Sequence, residues 1–246
     1  MKLKVKILFI ICLSTSVFCY SQVEDTVNNM TTFHREFSGQ VFLHTGGLYL
    51  NVFGANLRRG YHVTAMKKRV FEMDLVGMFH PKSYLIPASQ VTDSKSYVYG
   101  QLNSVTVVRT GYGIQKLLAA KTMKKNVEIR LIYSGGLSLS ILKPTYFEVD
   151  GGSIYKVYEK FSDQSIIIGG APYGMGFYEM SILPGAYGKL ALGFEYGAAL
   201  NKIKAIETGL TFDLYYKNVP ILADTKNYPF FASVYVGLVY GKKWYR

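Results

Sequence analysis

From Val127 to Ile141 alternate positions carry Val, Ile, Leu, Tyr, Gly, Leu, Leu and Ile. The positions between them carry Glu128, Arg130, Ile132, Ser134, Gly136, Ser138 and Ser140. An extended chain sends successive side chains to opposite faces, so this run is a strand with one oily side and one small or polar side. Four other runs repeat the pattern. In Val70–His80, Phe71, Met73, Leu75, Gly77 and Phe79 oppose Glu72, Asp74, Val76, Met78 and His80. In Ala186–Tyr196, Leu190, Leu192 and Phe194 oppose Lys189, Ala191, Gly193 and Glu195. In Ile206–Tyr216, Ile206, Leu210, Phe212 and Leu214 oppose Glu207, Gly209, Thr211 and Asp213. In Phe230–Gly241, Val234, Val236, Leu238 and Tyr240 oppose Ser233, Tyr235, Gly237 and Val239.

These runs have the length of a membrane-crossing strand, about 9–11 residues. Period two also suits a soluble sandwich, whose oily face meets a second sheet. Composition separates the two. With 24 Gly, 21 Tyr and 15 Phe in 246 residues, the chain is rich in strand-forming aromatics. Its glycines fall often on the non-oily face, where a narrow eight-stranded barrel has little room for side chains. The expected fold is all-β, a closed antiparallel up-and-down transmembrane β-barrel of about eight strands. The strands are placed near 39–52, 56–66, 70–80, 97–110, 127–142, 186–196, 203–216 and 230–241. Connections at 67–69 and 197–202 are short, and those at 81–96, 143–185 and 217–229 are long. Outer-membrane barrels pair short periplasmic turns with longer external loops. Two connections fit less well: 111–126 is long for a turn, and the first external loop, near Phe53–Ala55, is short. Within the longest loop, Ser153–Phe161 and Ser165–Ile168 read as a hairpin above the membrane or as two more barrel strands, making ten.

Lys2, Lys4 and Lys6 precede an apolar stretch, Ile7–Phe18, too short to span a bilayer. Residues 1–21 are read as a secretory signal peptide cut after Ser21, leaving 22–246 as one barrel domain exported to the outer membrane. Both cysteines, Cys12 and Cys19, lie in that segment, so the mature chain has no thiol chemistry. Removing the three lysines leaves 25 basic against 16 acidic side chains, a net charge of +9.

The positions of the charges matter more than their sum. Lys67, Lys68 and Arg69, Lys116, Lys121, Lys124 and Lys125, Lys202 and Lys204, and Lys242, Lys243 and Arg246 all fall toward the short connections. They form a basic periplasmic rim, facing phospholipid head groups or an acidic envelope protein. The cations make no patch interleaved with aromatics on a nucleic-acid-binding fold, so nucleic acid is not an expected partner. Tyr97, Tyr99, Tyr196, Tyr215, Tyr216, Phe230, Tyr240, Trp244 and Tyr245 lie near strand ends, where amphipathic rings suit a bilayer interface.

The second face of the strands carries Glu72, Asp74, Arg109, Glu128, Arg130, Lys189, Glu195, Glu207 and Asp213. Both signs occur, so they are expected to pair across a narrow lumen as a structural plug, since unpaired buried charge is costly. His34, His44, His62 and His80 show no metal-ligand spacing, and neither metal nor cofactor is expected. His80 with Ser83 is the one hydrolase-like pair considered.

The signal ending Ser21-Gln22, the alternating strands and the terminal Gly241-Lys242-Lys243-Trp244 resemble the outer-membrane β-barrel proteins of the Bacteroidota, loosely similar to the PorT-type barrel. His80-Pro81-Lys82, Tyr99-Gly100-Gln101-Leu102-Asn103 and Leu142-Lys143-Pro144 add to the likeness. The resemblance implies a location and a fold; a secretion role would follow by analogy alone. The leading expectation is a small non-enzymatic barrel acting through its long external loop and basic rim. A lipid-modifying enzyme, a narrow pore and a soluble secreted sandwich are its rivals. Leu210→Arg is expected to harm insertion, and Thr211→Arg to be milder.

Overall fold

A computed structural model describes residues 34–45, 50–80, 82–86, 95–121, 126–149, 154–158, 167–197, 201–223 and 225–244. The expected signal peptide, 1–21, and Lys124, Lys125, Tyr245 and Arg246 lie outside them.

In chain order the strands are β1 (Arg35–Thr45), β2 (Leu50–His62), β3 (Lys67–Met78), β4 (Leu85–Ile86), β5 (Tyr97–Val98), β6 (Asn103–Ala119), β7 (Glu128–Pro144), β8 (Tyr146–Val149), β9 (Ile154–Val157), β10 (Ile167–Gly170), β11 (Ser181–Glu195), β12 (Lys202–Tyr215) and β13 (Phe230–Trp244). Eight of them close into a barrel in the order β1-β13-β12-β11-β7-β6-β3-β2. Every neighbouring pair is antiparallel, and the seam joins first to last, from Arg35 opposite Trp244 to His44 opposite Tyr235. Closure leaves no barrel strand with an unpaired edge. The expected fold class is the observed one.

The alternation becomes inside and outside. On β12 every odd residue from Ile203 to Asp213 except Gly209 is buried, while Leu210 is 41% exposed. β3 keeps Glu72, Asp74, Val76 and Met78 inside and turns Phe71, Met73 and Leu75 out.

One end of the barrel carries short connections, 63–66, 120–127 and 196–201; the other carries 79–102, 145–180 and 216–229. Thr64 builds one of the short turns: the Lys67 N–H donates to its Oγ1 at 3.0 Å. Misplaced strand ends account for the long turn, while the first connection at the long-loop end stays short. Phe53–Ala55 lies within β2, and four residues, 46–49, separate β1 from β2. β6 runs on to Ala119, so the connection read as 111–126 shrinks. The extra strands of the longest connection do not widen the barrel to ten. They form a separate three-stranded sheet, β10-β8-β9, beyond its rim.

Candidate functional site

The interior divides into three levels. Near the long-loop end it is apolar. Residues 217–223 fold back over the opening and bury Val219, Ile221 and Leu222 against Val105, Leu142 and Leu183. Backbone bonds hold this cap: Leu102 N–H to the Ile221 carbonyl at 2.9 Å, and Ala223 N–H to the Gly100 carbonyl at 2.8 Å. Asn227 Oδ1 accepts from the Ile221 N–H at 3.0 Å, and Asn103 Nδ2 donates to the Pro220 carbonyl at 2.8 Å.

The middle level is a network of ions. Arg109 on β6 grips Asp213 on β12 with two bonds of 2.8 and 2.7 Å. Lys189 on β11 reaches Asp74 at 2.9 Å and Glu72 at 3.2 Å, both on β3. Arg58 on β2 grips Glu207 on β12 at 2.7 and 3.0 Å, and it also donates to Glu72 at 3.2 Å. Arg58–Glu72 joins neighbouring strands, but each of the other pairs joins strands three places apart around the barrel, so those links cross the lumen. Neutral groups complete the shell. Tyr235 donates to Glu207 at 2.6 Å, Tyr187 to Glu72 at 3.1 Å, Ser138 to Asp213 at 3.1 Å, and Asn56 to Asp74. Arg109 is 1% exposed. Paired guanidinium–carboxylate forks of this kind fix geometry as well as charge.

The third level lies toward the short-turn end. Lys68 donates to Glu36 at 2.6 Å, Lys243 to Glu195 at 2.7 Å, and Arg130 to Glu128. Between this level and the network lies a space of about 40 Å³ bordered by Glu36, Arg58, Gln115 and Glu207. That is room for very few waters.

All nine carboxylates and cations assigned to the lumen therefore point inward, and six of them join the central network. Two cations assigned to the rim do not belong there. Lys68 and Lys243 point inward and pair with carboxylates, because alternation within a strand splits adjacent basic residues between the two faces. Lys67, Arg69, Lys202 and Lys242 point outward and are exposed. Sequence reading placed the first two strands four to seven residues too late; it missed Glu36, which precedes the first strand as read, and Arg58, which lay within the second but was given no facing. Of the aromatics assigned to the interface, Tyr215 is buried inside, and Tyr97 sits on β5, away from the barrel strands.

His80 and Ser83 do not form a nucleophile–base pair here. Ser83 Oγ donates to the His80 carbonyl, and His80 Nδ1 accepts from the Lys82 N–H at 3.2 Å.

Beyond the barrel, Lys143 donates to the Tyr173 carbonyl at 2.8 Å and stands 3.9 Å from that ring's centre. Tyr146 donates to Glu179 at 2.7 Å, which holds its phenol proton above the usual range. A recess of about 230 Å³ opens between these groups, Phe79 and Tyr97.

No family model and no curated protein matches this chain. Solved structures do. Neisserial surface protein A aligns with 86% of this chain and 97% of its own at 11% identity and a TM-score of 0.46. Ail, the attachment invasion locus protein of Yersinia pestis, aligns with 85% of this chain and 96% of its own at 7% identity and a TM-score of 0.40. The N-terminal β-barrel domain of Pseudomonas aeruginosa OprF aligns with 87% of this chain and all of its own at 10% identity and a TM-score of 0.37. These neighbours are eight-stranded outer-membrane barrels. Likeness this distant says nothing of a ligand or a role.

Proposed function

We propose that this chain is a small outer-membrane barrel, exported with residues 1–21 as its signal. Its interior is a structural plug, and its contacts are made at its two ends. One observation carries the reading: the barrel is oily outside and ionic inside. Phe71, Leu137, Leu190, Leu214 and Val234 stand exposed on five different strands, while Arg58, Asp74, Arg109 and Asp213 are buried. In water this arrangement wastes apolar burial and still incurs the cost of desolvating charge. In hydrocarbon it is the favourable one, with lipid against the apolar face and the ions paired within.

The short-turn end then faces the periplasm and the recess beside Tyr146 faces outward. The external sheet and the basic rim are the surfaces for envelope partners, and no chemistry is assigned to the chain. An origin among the Bacteroidota, with a PorT-type accessory role, rests on the sequence landmarks. Two of those landmarks, 99–103 and 142–144, lie where the cap docks: Gly100 and Leu102 bond the segment 217–223 and Leu142 packs in the same cluster. The test is fractionation of expressing cells. The protein is expected to sediment with outer membranes through high salt and alkaline washes and to need detergent for release. Release by the washes alone would refute the proposal.

The narrow-pore reading makes the opposite prediction for the lumen. The cross-lumen ion pairs and the apolar cap leave the inserted barrel electrically silent in planar bilayers. Steady unitary conductance from the wild-type chain would show that the ions line a water path and do not block it.

A further inference from the structure

Among the described residues, no aspartate or glutamate faces outward on the barrel. The acids of the barrel strands, Glu36, Glu72, Asp74, Glu128, Glu195, Glu207 and Asp213, all point inward. Cations do face outward, and they gather at the short-turn end. Arg35 lies on β1, Arg59 on β2, Lys67 and Arg69 on β3, and Lys116 on β6. Lys202 and Lys204 lie on β12 and Lys242 on β13.

The register brings like charges together. Lys202 is directly opposite Lys242 on the outer surface, and Lys67 is directly opposite Lys116. Opposed like charges on one face of a sheet are destabilising. Nothing acidic on the described outer surface relieves the Lys202–Lys242 pair.

We propose that this girdle is a binding surface for anionic phospholipid head groups of the leaflet at the short-turn end, with one phosphate shared by Lys202 and Lys242. The side chains stand on strands, directed sideways from the barrel wall. They are not carried on the turns, where a soluble protein would dock. Phe37 lies opposite both Lys242 and Arg59, and Tyr240 opposite Lys204, so the girdle runs straight into the oily belt. A lipid meets both requirements at once, with its phosphate at the lysines and its chains against the rings. The same positions would not suit the zwitterionic surface of a neutral lipid, and their attraction for an anionic one falls with added salt.

This inference rests on the membrane reading, and its test separates the two. The full chain and the variant Lys202→Gln/Lys242→Gln are folded into vesicles of phosphatidylcholine alone and of phosphatidylcholine with about 20% phosphatidylglycerol, which gives the surface a negative potential. Stability is read from urea unfolding, and bound lipid from native mass spectrometry. For the wild type, the anionic lipid raises the unfolding midpoint and is retained at least about threefold over its share of the mixture. In the variant both effects shrink. In pure phosphatidylcholine the variant is as stable as the wild type or more so, because a repulsive pair is gone. A variant that keeps the full anionic effect overturns the proposal. So does inorganic phosphate at equal charge reproducing the effect in detergent, since the ligand would then be no lipid. A wild type that inserts equally well and shows no anionic preference refutes the girdle alone, and failure to insert in either vesicle refutes the membrane reading with it.

Discussion

Arg58→Ala is expected to destabilise the folded barrel by about 3–5 kcal/mol. The guanidinium holds both oxygens of Glu207 and one of Glu72, and all three side chains are almost wholly buried. Deleting it leaves Glu207 with the Tyr235 hydroxyl and Glu72 with Lys189, Ser134 and Tyr187. Two carboxylates would then share a site that had been neutralised on one side. Loss of one partner from a buried pair costs far more than the pair contributes, because the remaining charge is left desolvated. The readout is equilibrium urea unfolding in lipid vesicles, followed by the emission of Trp244, the only tryptophan in the chain. Arg58→Met/Glu207→Gln removes both charges while keeping volume, and it should recover much of the loss. A cost below about 1 kcal/mol for Arg58→Ala would be the value of a solvated surface pair. It would mean that water fills the lumen, and the pore reading would regain its ground.

Facing was legible in the sequence wherever a strand alternated cleanly, because the period of two is imposed by the backbone. β7, β12 and β13 each turn inward the residues that alternation assigns. Strand ends were less legible, and glycine is the reason. Gly54 and the pair Gly111 and Gly113 fell within segments read as connections. In the barrel they are spacers within β2 and β6. A Cβ at Gly54 would collide with the Phe42 ring, and one at Gly111 with the Tyr187 hydroxyl. Glycine in a strand marks close approach as readily as a bend, and a narrow lumen has many close approaches. Arg58 lay within the second strand as read but was given no facing; its neighbour Arg59 faces out toward the Tyr61 ring at 5.4 Å.

The pairing of the lumen ions was not legible at all. Which cation meets which carboxylate depends on strands three places apart and on how the register staggers around the barrel, and neither leaves a trace in local pattern. The cap was also missed, though Val219-Pro220-Ile221-Leu222 is an apolar run in a segment read only as a long connection. Thr211 shows the same limit. Read as the inward position where arginine is milder, it is buried directly opposite Lys189 and Ser233. An arginine there would crowd the network and add a like charge, so Thr211→Arg is not the mild control that facing alone suggests.

Depth supplies a better control. From Lys204 on β12 to Tyr216, one residue past its end, alternate side chains are directed outward, with Leu210 midway. Twelve residue steps span about 40 Å along the strand, and a tilt of 35–45° reduces this to roughly 30 Å of height. That matches a hydrocarbon layer bounded by a cation at one interface and a ring at the other. Leu210→Arg therefore places a guanidinium near the midplane and is expected to cost about 2–4 kcal/mol, against about 0–1 kcal/mol for Tyr216→Arg near the interface. Both residues are accessible from outside the barrel, at 41% and 64% exposure, so neither substitution disturbs the lumen. The comparison is made by urea unfolding from vesicles, with the folded yield after insertion as a second readout. A barrel surrounded by lipid gives a steep difference between the two positions. One surrounded by water gives none, since an arginine at either site would then simply improve the surface, and equal effects would remove the membrane from this account.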